Sequence, residues 1–336
     1  MAHLNHPDMF TAVEMTEAVN KLPTPPLRLG RLFQEKGIKT TFATFDIRNG
    51  RIVLVENQDR SAPPRHRQRE KPKNKTLECA HLPQTAGIKP DDLQNVRAFG
   101  SDELATPETA VNDVMQTLKY DIEMTVEYHR LGAVKGRVVD ADGQTVLHDL
   151  FSVFDVQQKK IDLVFPDTVP VKTNPIMETI LAGKRHIETK AEGLPISHIE
   201  AIVGSDFFDA LTGHKLVRDA FERWQANQSN FGDNDYRKRG FPYANVVWVE
   251  VNDVVDGKKL VEPDKGHMYP VAVPGFSPFK TFYAPANWMS TVNTVGRAFY
   301  AQPIELDGDR GWDVEVQSNP LCLCEYPECL VELTAK

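Results

Sequence analysis

Apolar residues at Val111, Val114, Met115, Leu118 and Ile122 recur in steps of three and four, the spacing of one helical face. Thr106 is a good N-cap, Pro107 suits the first helical position, and Glu108 complements the helix dipole. With Gly132 and Gly136 marking its end, a helix is predicted over about 107–131, a rod roughly 37 Å long. Its single stripe, with Asp113, Asp121, Glu123 and Glu127 largely on other faces, suits a rod lying across a sheet.

Shorter elements surround the rod. Residues 7–22 have helix-like composition, which Pro23, Pro25 and Pro26 end. Thr40–Phe45 and Arg51–Glu56 are β-prone, and Asn49-Gly50 between them favours a tight hairpin turn. Thr76, Leu77 and Cys79 are again β-prone, so the intervening segment reads as the tip of a long two-stranded loop. After the rod, residues 137–147 read as two strands joined by an Asp-Gly turn, with Phe151, Val153, Phe154 and Val156 continuing as strand. Asp140, Asp142 and Gly143 echo a calcium loop but lack the glutamate at its twelfth position, which favours the plain turn. Asn174-Pro175 opens a helix to about Thr189. Ile199–Val203 is a buried strand, Ser205 an N-cap, and Phe207, Phe208 and Leu211 the apolar face of the helix that follows. Leu216, Val217, Ala220, Phe221 and Trp224 mark one more helix, and Asn227–Arg239 a mobile loop. Strands follow at Tyr243–Val251, Met268–Val273, Trp312–Val316 and Leu321–Leu333.

Charge singles out one segment. The 336 residues carry a net charge of −8, yet Arg60–Lys75 holds Arg60, Arg65, Arg67, Arg69, Lys71, Lys73 and Lys75 against Glu70 alone. Removing its +6 leaves the remainder near −14. Three prolines in the same stretch keep it out of a helix, and its composition cannot build a core. Something outside the chain's own core must hold it. An acidic body is a poor general nucleic-acid binder, because phosphate affinity comes from neutralising cations. The arm also lacks the aromatics on which single-stranded bases stack. Contact with an acidic neighbouring subunit is therefore favoured; a phosphate grip and a solvated loop stay open.

The length fits one large domain or two to three subdomains, and no apolar run approaches the ~20 residues of a membrane span. The N-terminus shows no signal-peptide pattern, so the chain is expected to stay where it is made. There is no P-loop, nucleophile elbow, zinc-protease helix or dinucleotide fingerprint. Ser197, His198 and Glu200 are too close in sequence for a productive hydrolytic set and read as a solvated loop. His129 and His148 read as helix-surface and strand residues. A zinc site would need Cys79 with Cys322, Cys324 and Cys329, but the one-residue gap between Cys322 and Cys324 is not a usual ligand spacing. Leu321, Leu323 and Leu330 beside them favour buried strand cysteines. No catalytic residue, cofactor or metal is expected, and nothing argues for an enzyme.

The order of parts resembles the α+β tailed-phage major capsid fold (Hong Kong 97-type), and more specifically the capsid protein E family of lambda-like phages. The residues that carry the resemblance are Leu27–Phe33, the loop with Lys71-Pro72-Lys73, and Ile202–Leu211. The tail adds Gln317-Ser318-Asn319-Pro320-Leu321 and Pro327-Glu328. The family has plain apolar residues where Cys322 and Cys324 stand. The resemblance implies an N-terminal arm (1–38), an extended hairpin loop (39–95), a peripheral domain with the rod (96–195), an axial domain (196–300) and returning strands (301–336). It implies self-assembly into hexamers and pentamers of an icosahedral shell in the virion, built in the host cytoplasm around double-stranded DNA without sequence-specific contact. Scaffolding, portal and decoration proteins are further candidate partners; no membrane is expected. In that setting Arg65, Arg67, Arg69, Lys71 and Lys73, flanked by Arg60 and Lys75, are expected to pair with Asp121, Glu123 or Glu127 of a neighbouring copy.

Overall fold

The computed structural model describes residues 11–23, 27–47, 73–94, 106–166, 173–191, 193–228, 236–255, 257–308 and 310–336. The first helix, α1 (Ala12–Lys21), begins at Thr11, whose hydroxyl accepts from the Glu14 amide while the Glu14 carboxylate accepts from the Thr11 amide. That reciprocal capping satisfies two orphan donors and sets the helix start. Then come β1 (Gln34–Gly37), β2 (Phe42–Ile47), β3 (Lys73–Glu78), β4 (Leu82–Ile88), the short α2 (Pro90–Leu93) and the rod, α3 (Pro107–Lys135). β2 and β3 form a two-stranded sheet, so the segment carrying the basic arm leaves and returns at paired strands. The predicted partner strand Arg51–Glu56 and the Asn49-Gly50 turn lie outside the described residues.

The rod outlasts its predicted end by a turn. Gly132 stays helical because β5 (Arg137–Val139) closes on it: a Cβ there would lie 2.8 Å from the Arg137 oxygen and the Val138 Cα. The helix stops at Gly136, whose φ of 84° favours glycine. β5 pairs with β6 (Val146–Asp149) across the Asp-Gly turn, where the Asp142 carboxylate accepts from the amides of Gln144 and Thr145. Phe151–Phe154 do not continue as strand. The Asp149 carboxylate accepts from the amides of Phe151 and Ser152 and starts α4 (Leu150–Phe154), which a left-handed Asp155 ends. Local capping outweighs β propensity there.

The remainder comprises β7 (Lys159–Leu163), α5 (Pro175–Lys190), β8 (Ile196–Val203), α6 (Ser205–Gly213), α7 (Lys215–Gln228), α8 (Tyr236–Arg239), β9 (Phe241–Tyr243), β10 (Val246–Glu250) and β11 (Val254–Val255). After these come β12 (Lys258–Lys259), β13 (Lys265–Ala272), β14 (Phe279–Tyr283), β15 (Tyr300–Glu305), β16 (Trp312–Ser318), β17 (Pro320–Cys324) and β18 (Val331–Ala335). Asn174 caps α5 as expected, accepting from the Met177 amide. Gly204, not Ser205, is the N-cap of α6; a Cβ on it would stand 2.2 Å from the Glu262 oxygen.

The chain divides into two compact units. One draws on Met1–Ala43, Thr76–Arg130 and Lys280–Cys322, the other on Thr44–Lys75, Leu131–Phe279 and Leu323–Lys336. In the first, β4, β16 and β15 form an antiparallel sheet with β16 central. Thr16 and Asn20 of α1 donate to the carbonyls of Ala301 and Phe299 on and beside β15. In the second, six strands run in the order β7-β18-β13-β8-β10-β9. One sheet face presents Val331, Met268, Ala201 and Trp248 to Ile176, Ile180, Phe207 and Leu211 of α5 and α6. The other carries the row Lys160, Glu332, His267, Ile202 and Val249. These divisions cross the sequence boundaries at 195 and 300: β7 and β18, 172 positions apart at every pair from Val331↔Lys159 to Ala335↔Leu163, join the same sheet as β8.

Candidate assembly surfaces

Of the seven basic arm residues, Arg60, Arg65, Arg67, Arg69 and Lys71 lie outside the described residues. Lys73 and Lys75 belong to β3, and Lys75 is exposed. The strand pair therefore presents Lys75 to solvent at the foot of the basic segment.

The three rod acids part company. Asp121 is exposed, as a pairing partner for another subunit must be. Glu123 and Glu127 are buried, at 5% and 8% exposure, and their placement on an outer face is corrected. Met115, Leu118 and Ile122 are buried as the stripe predicts, but from Lys119 onward the buried arc widens. Lys119, Glu123, Glu127 and Arg130 follow one another at steps of four and three and form a charged ladder in the interior. The Lys119 ammonium donates to the Leu22 oxygen at 2.8 Å, stands 3.6 Å from Glu123, and sits over the Phe299 ring. Glu127 accepts from the Leu29 amide at 2.5 Å. Arg130 lies 3.7 Å from Glu127 and 2.7 Å from Glu35, with the Phe33 ring beneath its guanidinium. Burial pushes the Glu127 carboxyl above its usual range, against the opposing pull of the Leu29 amide and Arg130. The ladder thus pins the chain between Leu22 and Glu35 to the rod. Its spacing was visible in the sequence, but a single-stripe reading assigns charged residues outward, because buried charge is costly unless paired. His129, read as a surface residue, is buried too.

The remaining candidates are structural. Residues 197–200 belong to β8 and are not a loop. Glu200 is buried and accepts the Tyr269 hydroxyl at 2.9 Å across the strands, with His198 3.7 Å away. Cys322 and Cys324 are buried in β17, as the strand reading expects, and Cys329 is buried after it. Burial pushes the thiols of Cys79 and Cys322 up to about 12 and about 11, so both stay neutral and packed. Cys329 donates weakly to the Ile187 oxygen. Among the described residues no three His, Cys, Asp or Glu side chains group as a metal site, and no helix is long and apolar enough to cross a membrane.

A long rod helix, a strand pair carrying a basic segment, and a mixed sheet backed by helices define a phage capsid fold of the Hong Kong 97 type, a structural rather than catalytic class. The model of phage major capsid protein E matches residues 11–335, and the chain belongs to that family. It is 29% identical to the major capsid protein of Salmonella phage Felix O1, over 97% of this chain and 96% of that one. It is 26% identical to the major capsid protein of Pseudomonas phage KPP10, over 77% of each. Among solved structures it is similar to a prophage capsid protein of E. coli CFT073, with a TM-score of 0.63 at 14% identity over 97% of this chain and 99% of that one. Its role is structural, as a component of a phage capsid that assembles with itself.

Proposed function

We propose that copies of this chain form the hexamers and pentamers of an icosahedral shell enclosing double-stranded DNA, assembled in the host cytoplasm. The observation that carries this reading is the family match across residues 11–335, nearly the whole chain. The unit built on the six-stranded sheet serves as the axial region around each capsomer centre, and the rod with the β4–β16–β15 sheet as the peripheral region. The loop of about residues 57–81 lies across the neighbouring subunit. Its cations, from Arg60 to Lys75, pair there with exposed acids of the rod. Asp121 remains a candidate, joined by Asp113 and Glu108, which are exposed on the same helix; Glu123 and Glu127 are engaged inside their own chain. Each exposed pair contributes ~0.2–1 kcal/mol, and repetition over a shell multiplies it. An acidic inner wall holds DNA weakly, which suits a container that must empty. Portal, scaffolding and decoration proteins are the further partners such a shell would take.

Electron microscopy of the purified protein tests the reading: closed shells or rings of five and six subunits are expected. Dispersed monomers at every salt and protein concentration, with DNA binding that falls steeply with salt, would overturn it in favour of a nucleic-acid grip.

A further inference from the structure

β7 ends the six-stranded sheet among the described residues, with β18 as its one strand neighbour. The pairing of β7 with β18 is parallel, and it continues as the Phe165 amide donates to the Lys336 oxygen and the Lys336 amide to the Leu163 oxygen. Alternation along a strand then directs the backbone groups of Lys159, Ile161 and Leu163 inward. Those of Lys160 and Asp162 face the open edge. Beside this edge, between β7 and α5, runs a groove of about 540 Å³ lined by Lys159, Lys160, Ile161, Ala182, Arg185, His186 and Thr189. Its charge is one-signed, since no carboxylate lines it. The flanking acids are occupied elsewhere: Glu328 by Lys190, Glu332 by Lys160 and Lys265, Glu188 by Lys184, and Asp162 by Lys336. Lys159 and Arg185 are exposed and lack a carboxylate within ion-pair distance among the described residues.

An open edge is a template for another strand, and lysines on it repel indiscriminate pairing. The same lysines select a partner that brings carboxylates. We propose that the groove between β7 and α5 is a docking site for an extended acidic segment of a second copy of this chain, which adds to β7 as a strand. The occupant follows from charge and supply. The chain carries a net charge of −8, and capsid assembly crowds its copies together. Main-chain bonds to Lys160 and Asp162 provide affinity, while Lys159 and Arg185 select for acid, the usual division in strand addition. A DNA backbone fits less well, because it cannot continue the strand ladder along the open backbone groups of Lys160 and Asp162.

The proposal rests on self-assembly, so its test separates the two. Shells are assembled from copies of two isotopic compositions, treated with a carbodiimide that joins ammonium to carboxylate at zero length, and digested for mass spectrometry. Mixed-isotope cross-links from Lys159 to an Asp or Glu are expected. Hydrogen exchange at the amides of Lys160 and Asp162 should slow about tenfold or more on assembly. K159E/R185E, at two exposed positions, should abolish both signals while leaving the subunit's circular dichroism unchanged. Shells seen by microscopy without mixed cross-links or edge protection overturn the docking site and leave the assembly reading standing. Protection only in DNA-filled particles assigns the groove to phosphate and overturns it as well. Absence of both shells and cross-links overturns both readings.

Discussion

Replacing Arg130 with Met removes a buried guanidinium and keeps most of its bulk. The side chain is only 6% exposed and serves Glu35 at 2.7 Å, Thr281 Oγ1 at 3.3 Å and Glu127 at 3.7 Å. Glu35 is half exposed and can turn to water. Glu127 cannot, with its side chain 10% exposed and its carboxylate held by the Leu29 amide. Stranding one member of a buried ion pair costs about 3–5 kcal/mol, and that is the loss expected for R130M in urea unfolding of the full-length subunit at neutral pH. The sign of its pH dependence follows from Glu127. Burial already raises that carboxyl, and losing Arg130 raises it further. A carboxyl whose folded-state pKa exceeds its unfolded value, ~4.3, binds its proton more tightly when folded. Stability therefore falls as pH rises through that window. The deficit of R130M should be greatest near neutrality and shrink towards pH ~4. E127Q/R130M removes the stranded charge but keeps an oxygen for the Leu29 amide, and should recover more than ~1 kcal/mol of the loss. A loss within ~0.5 kcal/mol of wild type, or one that neither pH nor E127Q alters, would refute the buried ladder as the tie between the N-terminal segment and the rod.

Ile180 is fully buried between α5 and the sheet, so I180A should cost ~2–5 kcal/mol in the same unfolding assay. Changing Arg65, Arg67, Arg69, Lys71 and Lys73 together to Gln should leave circular dichroism and the unfolding midpoint unchanged and impair shell assembly; normal shells, indifferent to salt, would remove the strap. Cys322, Cys324 and Cys329 should resist a thiol reagent at pH 8 in the native subunit and react at once in urea, because burial covers all three and holds the thiols of Cys322 and Cys324 neutral; fast native labelling would contradict the packing of β17. His267 is held down to about 3 by burial, with Lys135 adding to the effect. Its unfolded form takes up a proton below ~6.5, so stability present above that pH is lost as pH falls. H267Q should flatten this part of the pH–stability curve, and an unchanged curve would show that His267 does not contribute.

Much of the architecture could be read directly from residue order. The capped rod, the Asn174-Pro175 helix start and the buried strand at Ile199–Val203 all rest on signals within a few residues of one another. The resemblance that named the capsid fold rested on their succession together with short local matches such as Ile202–Leu211 and Gln317–Leu321. Where tertiary contacts compete with local signals, the reading failed. Phe151–Phe154 look like strand until the Asp149 carboxylate caps them into a helix. Gly132 looks like a stop until the close approach of Val138 explains it. Lys159 and Arg185 carried no signal, since neither shows in sequence that it will share a groove.

The sequence by itself determined the class of the protein, the rod with its start and its apolar stripe, and the basic segment that no core could absorb, because periodicity, capping and charge density are local properties. Only the tertiary structure decided how wide the rod's buried face is, that Glu123 and Glu127 turn inward, and that β7 and β18 complete the sheet of β8 and β13. The physical reason is that burial depends on what packs opposite. A charged residue on a helix lies in solvent or in the interior according to whether a distant segment brings it a partner, as Leu29 and Arg130 do for Glu127.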